Sequence, residues 1–579
     1  MNRLSPVFTE PAECQDCYKC VRECIPKAIK VTEGHAQVVP ERCILCGHCA
    51  SVCPVGAKRV RNDTIQAQSL ILRKPKVFAS LAPSFVAAFP DASPFALVSA
   101  LEQLGFAGVS ETALGAQLVS RQVAADLSDG QKGPLVSSAC PTTVELIEKY
   151  FPQHRPLISD TLSPLQAHGQ MLRHLYGEDI GVVFLGPCVA KKQEAEDRPD
   201  LIDVALTFEE LKEWLEEAEI DPNLIDDSGA TFVPYRAEEG AVYPIEGGMI
   251  ATLKKGAGVD DRNFLSVSGI TSVVDVLQEL SEELPEEPVF LELLACKGGC
   301  VNGPKCTGPR RNILKRRKVL DWMPDTQSLT SQSERWSPIR RESHSLSSMA
   351  SAASATAIDA VAHTDAEISR ALKTVGKHDR RDELNCGGCG YETCRDFAVA
   401  LLEDRAEQTM CAGYMRKLAQ RKTNALLRAM PSGVVMVSSD LRVVECNKKF
   451  VELLGEEAQL LYDAAPGLEG VDLKRVVPFW KLFQDALATD SDSLGEDFEY
   501  EGRILNGSVF VVQPGQLAGG VFQDITAPAV QRDRIIAQAQ EVITQNLSTV
   551  QKIASLMGEN AAETEAMLTS IIDAFGSRK

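Results

Sequence analysis

Residues 14–54 read CQDCYKCVRECIPKAIKVTEGHAQVVPERCILCGHCASVCP and are the most informative part of the sequence. They contain the cysteine spacing C-x2-C-x2-C-x3-C twice, and a proline follows the second run directly. Cysteines this dense form disulfides or bind metal. The first residues show no apolar signal segment, and no apolar run reaches the roughly 18 residues that cross a bilayer. We therefore expect a cytoplasmic protein with no membrane span, in which disulfides are rare and clustered cysteines bind metal.

The repeated spacing predicts two iron–sulfur clusters. In proteins with two such runs, three cysteines of one run bind a [4Fe–4S] cluster and the fourth closes the other cluster. One cluster is thereby assigned to Cys14, Cys17, Cys20 and Cys53, and the other to Cys43, Cys46, Cys49 and Cys24. Zinc is the alternative, but zinc sites rarely use eight cysteines in a repeated spacing. The segment resembles the bacterial two-[4Fe–4S] ferredoxin domain, which we expect over residues 1–62.

Residues 75–320 have the pattern of a large α/β domain, in which apolar strand-like runs such as 181–185 (GVVFL) and 289–294 (VFLELL) alternate with helical segments such as Phe208 to Glu217. Four more cysteines stand at the ends of apolar runs. They occur in the segments SSACP (137–141), GPCVAKKQE (186–194) and LACKGGC (294–300). A single cysteine of this kind is well explained as a buried thiol. Three glycine- or proline-flanked segments instead indicate one shared site.

Together these segments resemble the three signature segments of the [FeFe]-hydrogenase catalytic domain. The resemblance implies that four cysteines hold a [4Fe–4S] cluster, and that Cys300 bridges it to a two-iron unit carrying carbon monoxide, cyanide and an azadithiolate. The implied ligands are Cys140, Cys188, Cys296 and Cys300. The candidate catalytic side chains are Lys191, which matches a lysine that contacts a cyanide, Glu194, which matches a supporting carboxylate, and Ser138. For Lys192 we expect a solvated surface charge.

Several positions depart from the active pattern of that family. Catalytic members have a proton-shuttling cysteine just before the first ligand, where this chain has Ala139, which cannot carry a proton. The acidic relay positions align roughly with Gln122 and Val123, and two methionine positions hold Leu294 and Gly186. The resemblance with these departures implies slow or differently routed hydrogen chemistry, and enzyme activity stays undecided. Cys306 receives no cluster.

A third cysteine group follows a stretch rich in Ser, Ala and Thr, which we interpret as a linker over residues 321–368. We expect one more [4Fe–4S] cluster, in a domain over residues 369–430. Its ligands would be Cys386, Cys389, Cys394 and Cys411, the last of which follows an expected helix from Cys394 to Gln408. The glycine-rich loop around the first three can donate backbone N–H groups to anionic sulfides. Zinc is the alternative on ligand number. The segment resembles a small four-cysteine iron–sulfur domain found beside redox and corrinoid proteins.

The C-terminal part resembles a signalling module. Residues 431–527 resemble a PAS domain at their start, PSGVVMV (431–437), and at their end, GVFQDIT (520–526). No histidine occurs there, which disfavours a His-ligated haem, and Cys446 has no assigned role. A seam of apolar residues from Ile543 to Phe575, at spacings of three and four, predicts a coiled-coil helix over 528–579 and a homodimer. The alternative is a helix packed on its own PAS domain.

The expected architecture is multidomain, α/β and α+β. It combines a ferredoxin-like cluster domain, an α/β hydrogenase-type catalytic domain, a small iron–sulfur domain, a PAS domain and the coiled-coil helix. The expected cofactors are three [4Fe–4S] clusters and an H-cluster, whose two-iron part is left open. A net charge of -20 argues against nucleic acid as a partner.

The leading functional hypothesis is a sensory [FeFe]-hydrogenase that reads hydrogen or redox state. The alternatives are a catalytic hydrogenase or oxidoreductase, and an electron-transfer protein that lacks the two-iron unit. The expected partners are H2 and protons, an electron donor or acceptor protein, and a separate signalling output protein, because the chain shows no kinase or phosphatase motif.

Overall fold

The computed structural model describes residues 4–128, 133–226, 229–257, 263–284, 289–306, 312–324, 356–358, 361–464, 467–526, 540–542 and 544. Most of the predicted linker and nearly all of the predicted coiled coil, including Ile543, lie outside these residues. The chain divides into two compact units. The first comprises residues 1–14 and 18–407, and the second comprises 15–17 and 408–579.

The cysteine-rich N-terminal segment forms two small antiparallel ladders with short helices between them. Strand Val7–Thr9 pairs with Lys58–Val60, and strand Ile29–Thr32 pairs with His35–Val38. The helices are Lys19–Glu23 and His48–Val52, preceded by a 3-10 turn at Pro11–Glu13. Both helices begin between the cysteines of a run, so the spacing that binds metal also sets the local backbone.

Two parallel sheets form the centre of the first unit, which confirms the α/β expectation. The larger sheet has the strand order Gly108–Glu111, Val77–Leu81, Gly181–Gly186, Val204–Thr207, all parallel. The smaller has the order Phe264–Ser268, Phe290–Leu294, Leu135–Val136, also parallel. Most of these strands are buried along their whole length, as parallel strands covered by helices should be.

Helices cover these sheets and join their strands. The helix Phe208–Glu217 has the bounds expected from its sequence pattern, and its N-terminus carries a capping box between Thr207 and Glu210. The other α-helices of this region are Thr64–Arg73, Phe85–Ala88, Pro94–Gln103, Ala113–Ser128, Pro141–Tyr150, Pro164–Tyr176, Ala190–Asp197, Gly248–Ala257, Ile270–Glu282 and Asn312–Trp322. Short 3-10 turns occupy Pro152–Leu157, Glu239–Val242 and Cys300–Asn302.

The third cysteine group is flanked by helices Asp365–Thr374 and Cys394–Leu402, with a 3-10 turn at Arg380–Asp382. The second of these helices ends at Leu402, six residues before the end that the sequence suggested at Gln408. Residues 403–405 turn back with hydrogen bonds to the last helical carbonyl groups, because Asp404 takes a left-handed conformation (φ 53°) that stops the helix.

The second unit contains a five-stranded antiparallel sheet of the kind expected for a PAS domain. Its strand order is Val443–Cys446, Gly433–Ser438, Leu517–Asp524, Arg503–Gln513, Ser493–Tyr500. The remaining elements are helices Ala412–Ala429, Lys448–Leu454, Glu456–Ala464 and Trp480–Thr489 and the 3-10 turns Gln408–Met410 and Leu473–Arg475. Phe450, Phe483 and Phe522 are buried in the core on one face of the sheet.

Candidate metal centres

The four cysteines of the hydrogenase-type region come together at the carboxyl ends of parallel strands. Cys140 follows the strand Leu135–Val136 and precedes the helix Pro141–Tyr150, and Cys188 follows the strand Gly181–Gly186. Cys296 follows Phe290–Leu294, and Cys300 begins the next 3-10 turn. All four line one cavity of about 110 Å³. Because the strands belong to two sheets, the site lies where the carboxyl ends of both sheets meet, the usual position for ligands in α/β folds.

The chemistry of this cavity suits an iron–sulfur group. Its walls are mostly apolar, and the four thiols and the ammonium of Lys191 are among its few polar groups. Burial, followed by the charge of Cys140, raises the pKa of Cys188 to about 11, and burial also raises the pKa of Cys296 and Cys300. Such buried thiols lose their protons readily only when a nearby cation compensates the negative charge of the thiolate, and iron ions provide that positive charge. The donor set therefore fits a [4Fe–4S] cluster.

Gly299 allows the loop between the last two cysteines to close. Its φ is 100°, and a Cβ atom there would lie 2.4 Å from the carbonyl oxygen of Pro244. No other residue fits this space, because the atom it would meet is backbone. The loop that carries Cys296 and Cys300 therefore depends on this glycine.

Lys191, Glu194 and Ser163 form a hydrogen-bonded group between two cavities. Lys191 Nζ donates to Glu194 Oε2 at 2.5 Å and to Ser163 Oγ at 3.2 Å, and Ser163 Oγ donates to Glu194 Oε1. Lys191 lines the cysteine cavity, whereas Ser163 and Glu194 line a second, polar cavity of about 170 Å³. Ser138 lines that second cavity and donates to the Thr161 carbonyl oxygen at 2.7 Å. The predicted pair Lys191 and Glu194 is thus in contact, and Ser138 lies apart from the pair.

Glu292 is a site residue that the sequence reasoning missed. It lines the cysteine cavity, and its Oε1 accepts from the Met249 backbone N at 3.0 Å. Its Oε2 is buried and has no hydrogen-bond partner within the described part of the chain. Burial raises the pKa of Glu292 to about 7. The signal was present in the sequence, because a single carboxylate interrupts the apolar strand 289–294.

The expectation for Lys192 was wrong, because its side chain is 1% exposed. Its Nζ donates to Asp63 Oδ2 at 2.9 Å, to Glu210 Oε1 at 2.8 Å and to the Ala205 carbonyl oxygen at 3.1 Å. Arg61 donates to the same Asp63. A charged group can be buried when oppositely charged groups and hydrogen bonds surround it, and the partners of Lys192 lie too far along the chain for a local pattern to reveal them.

The ferredoxin-type cysteines adjoin the hydrogenase-type site. Cys188 packs in one apolar cluster with Cys43, Cys24 and Cys49, together with Leu45 and neighbouring aliphatic side chains. Burial raises the pKa of Cys24 to about 11 and that of Cys46 to about 12. Lys149 Nζ donates to the Cys43 carbonyl oxygen at 2.8 Å, which connects this loop to the helix that follows Cys140. The segments packed against the central domain therefore contain the four predicted ligands of one ferredoxin-type cluster, Cys24, Cys43, Cys46 and Cys49.

The other predicted cluster ligands are distributed as follows. Cys14, Cys20 and Cys53 belong to the first unit, whereas Cys17 is exposed and its segment is grouped with the second unit. In the third group Cys386 is exposed, Cys389 is half-buried and Cys394 is buried. Cys411 is buried and belongs to the second unit. His48 is half-exposed and pairs with Glu23 at 3.4 Å.

Comparisons with known protein families match four parts of the chain. Residues 75–304 match the iron only hydrogenase large subunit, C-terminal domain, and residues 36–59 match the 4Fe-4S binding domain. Residues 382–412 match an Fe-S cluster family, and residues 421–488 match the PAS domain. The chain is therefore an iron–sulfur protein with a hydrogenase-type domain and a PAS domain.

Individual relatives agree with these matches. The chain is similar to NADP-reducing hydrogenase subunit HndD of Solidesulfovibrio fructosivorans, with 27% identity over 48% of this chain and 58% of that protein. It is also similar to iron hydrogenase 1 of Clostridium pasteurianum, with 26% identity over 42% of this chain and 51% of that protein. A third relative is cytosolic Fe-S cluster assembly factor NAR1 of Meyerozyma guilliermondii, with 30% identity over 31% of this chain and 40% of that protein. The match spans between half and three fifths of the two hydrogenases.

The fold is also similar to a solved [FeFe]-hydrogenase structure from work on oxygen inactivation. The similarity extends over 48% of this chain and 94% of that chain, with 18% identity and a TM-score of 0.38. Within the described residues, none of the helices is both long and apolar enough to cross a membrane.

Proposed function

We propose that this protein is a sensory member of the [FeFe]-hydrogenase type, which reads hydrogen or redox state through slow hydrogen chemistry. The observation that carries the proposal concerns one cavity. Four thiols and the ammonium of Lys191 line it, yet Ala139, which lines the same cavity, has only a methyl group to offer. A site with complete metal ligands but no proton carrier at that position suits detection better than rapid turnover.

The residues of the cavity have separable roles in this proposal. Cys140, Cys188, Cys296 and Cys300 hold the metal group, and the apolar walls exclude water. When bound, a [4Fe–4S] cluster joined to a two-iron unit supplies reversible cleavage of hydrogen into protons and electrons. Lys191 Nζ, held at 2.5 Å by Glu194, presents a positive charge that stabilises anionic ligands in a buried site.

Because Ala139 cannot carry a proton, proton transfer between the cysteine cavity and solvent requires other side chains. Lys191, Ser163 and Glu194 connect the apolar cavity to the polar one by hydrogen bonds. The polar cavity is lined by further carboxylates, including Glu145 and Asp197. This connection supports slow proton exchange with solvent on a route that bypasses Ala139.

Electrons leave through the ferredoxin-type segment in this proposal. The apolar cluster shared by Cys188 and the loops of Cys43 and Cys24 supports transfer from the central site to the neighbouring cluster. From there electrons pass to or from a separate carrier protein. The PAS domain and the C-terminal coiled coil of a cytoplasmic homodimer then convey the state to an output protein.

A second candidate function is an electron-transfer or assembly protein without the two-iron unit. It is favoured by the similarity to a protein named as a cytosolic Fe-S cluster assembly factor. A third candidate function is a catalytic hydrogenase in which the PAS domain serves only for dimerisation. The similarity to two proteins named as hydrogenases favours this function.

Infrared spectroscopy separates these functions. The full chain is produced with and without hydrogenase maturation enzymes, beside Cys300→Ser and the control Cys306→Ser, which alters a buried cysteine outside the four. The sensor proposal expects carbonyl and cyanide bands after maturation in the wild type and the control, and none in Cys300→Ser. Absence of bands in every sample would favour the assembly function.

Two further measurements complete the test. Hydrogen uptake measured with a redox dye should be slow in the matured protein, and fast turnover would favour the catalytic hydrogenase. The molar mass of the chain truncated after Ala527 should fall from dimer to monomer, and a dimer that survives would contradict the coiled-coil assignment.

A further inference from the structure

The loop that carries Cys389 packs directly on the ferredoxin-type domain. Gly390 has a φ of 93°, and a Cβ atom there would lie 2.8 Å from Val21 Cγ1 and 3.2 Å from Arg22 N. Val21 and Arg22 lie in the short helix between Cys20 and Cys24. Only glycine permits this approach, because any side chain would meet that helix. The backbone next to one predicted cluster ligand therefore touches the backbone between two others.

Lys27 binds the two loops together. Its Nζ donates to the carbonyl oxygens of Val21 at 3.2 Å, Arg22 at 3.1 Å and Gly390 at 2.8 Å. All three donor positions of the ammonium group are thereby used. The same Nζ lies 6.0 Å from the ring centroid of Tyr391, which is buried. One positive charge thus stands between the loop of Cys20 and Cys24 and the loop of Cys389.

A separate set of contacts holds the same segment at the hairpin Ile29–Val38. The Val31 backbone N donates to the Arg405 carbonyl oxygen at 3.0 Å. The carboxylate of Glu407 accepts from the backbone N of Glu33 and from that of Gly34, the latter at 3.1 Å. Contacts from both ends of residues 390–407 fix their orientation, so the packing of Gly390 does not depend on a single hydrogen bond.

We infer that the third cysteine group extends the electron path of the ferredoxin-type domain, and that Lys27 is the residue that positions the two cluster loops. The inference rests on the proposed function, because the electrons that would reach the cluster expected at residues 386–411 come from the hydrogen chemistry proposed for the central site. Gly390 directly follows Cys389, and Val21 directly follows Cys20. Each such step spans about 3.8 Å between Cα atoms. Clusters bound there are close neighbours.

The electron balance is simple. A reduced cluster on one side loses one electron and its oxidised neighbour gains it, with no proton or atom transferred. The electron originates from hydrogen oxidation at the central site or from a one-electron carrier protein. The oxidation state of the central site thereby reaches the segment that precedes the PAS domain in sequence.

The charge of Lys27 should also influence the clusters. A cation near a cluster stabilises the added negative charge of the reduced form. Its removal should lower the reduction potentials of the neighbouring clusters and loosen their packing. Lys30 offers a matched control, since it lies in the same domain and has no hydrogen bond to residues 386–394 within the described part of the chain.

The test compares the full chain, with its clusters reconstituted, as wild type, Lys27→Met, Lys27→Arg and Lys30→Met. Electron paramagnetic resonance of the dithionite-reduced protein reports magnetic interaction between clusters, and a redox titration reports their potentials. We expect interaction between the third cluster and a ferredoxin-type cluster in the wild type. We expect it to weaken in Lys27→Met with a shift to lower potential, and to persist in Lys30→Met. Lys27→Arg, which keeps the charge, should retain the wild-type potential.

A further variant separates failure of this inference from failure of the proposed function. Cys389→Ser should remove about four irons per chain, since one [4Fe–4S] cluster is lost, and should abolish the broadening caused by the third cluster. Unchanged iron content would overturn the cluster assignment itself. A third cluster that is present but relaxes as an isolated centre in the wild type would overturn the electron path, and wild-type spectra and potentials in Lys27→Met would overturn the role of Lys27.

Discussion

Replacing Lys192 by methionine should destabilise the first unit strongly. The substitution keeps the length of the side chain but leaves the buried carboxylates of Asp63 and Glu210 without their shared cation. Burial alone would raise the pKa of Asp63, but Arg61 and Lys192 together hold it below its usual range. Breaking a buried pair costs about 3–5 kcal/mol, because a charge stays buried without compensation. Asp63 keeps Arg61, so we expect about 3–5 kcal/mol in total and not for each carboxylate.

The assay is calorimetric unfolding of the full chain. The first unit has about 400 residues, and the entropy of unfolding grows with size, so about 3–5 kcal/mol lowers its unfolding midpoint by about 4–6 °C. The control is Lys74→Met, whose partner Asp179 is 81% exposed, and which should cost less than about 1 kcal/mol. Adding Glu210→Gln to Lys192→Met should recover part of the loss, since it removes one uncompensated charge. A midpoint for Lys192→Met equal to that of the control would refute the reasoning.

Three more outcomes are expected. Ala139→Cys should increase hydrogen uptake of the matured protein, measured with a dye, because it restores a proton carrier in the cavity, and equal rates would exclude proton transfer as the limit. The pKa of Glu292 is about 7 against an ordinary 4.5, so its protonated form stabilises the fold at low pH and this stability is lost as pH rises through 7. Between pH 5 and pH 8 the free energy of unfolding of Glu292→Gln should therefore rise relative to the wild type by up to about 3 kcal/mol, as measured in denaturant titrations. Asn447→Asp should lower the free energy of unfolding of the PAS domain by about 1–3 kcal/mol in a denaturant titration, because the side-chain amide donates at 2.9 Å to the carbonyl oxygens of Leu427 and Ser432. A smaller loss would show that both bonds are dispensable.

Local patterns predicted the parts of this protein that depend on neighbours in sequence. The helix Phe208–Glu217 was expected from the local sequence pattern, and the structure shows a capping box at its N-terminus. The buried strands at 181–186 and 290–294 followed from continuous apolar runs. The helix after Cys394 was expected to be longer than it is, because the turn at Asp404 leaves no strong signal in the sequence.

The arrangement of the candidate site was predictable only in part. The sequence named four cysteines with Lys191 and Glu194, and the structure brings the four cysteines and Lys191 to one cavity, with Glu194 bonded to Lys191 from the adjoining one. Glu292 was overlooked although a lone carboxylate in an apolar strand was visible in the sequence, because distant segments form the cavity that gives it its importance. The polar cavity lined by Glu194 could not be predicted from the sequence either, because segments far apart in the chain form its walls.

The amino-acid sequence was sufficient to predict an iron–sulfur protein with a hydrogenase-type domain and a PAS domain. Metal ligation depends on thiols a few residues apart, and such short spacings survive in the sequence as a readable pattern. Folding in three dimensions was needed to show that Lys192 is buried against Asp63, which lies 129 residues away in the sequence. It was also needed to show that Gly390 rests on Val21, and that Lys27 joins loops 363 residues apart. Burial and charge compensation arise from contacts between distant segments, and no local pattern records them.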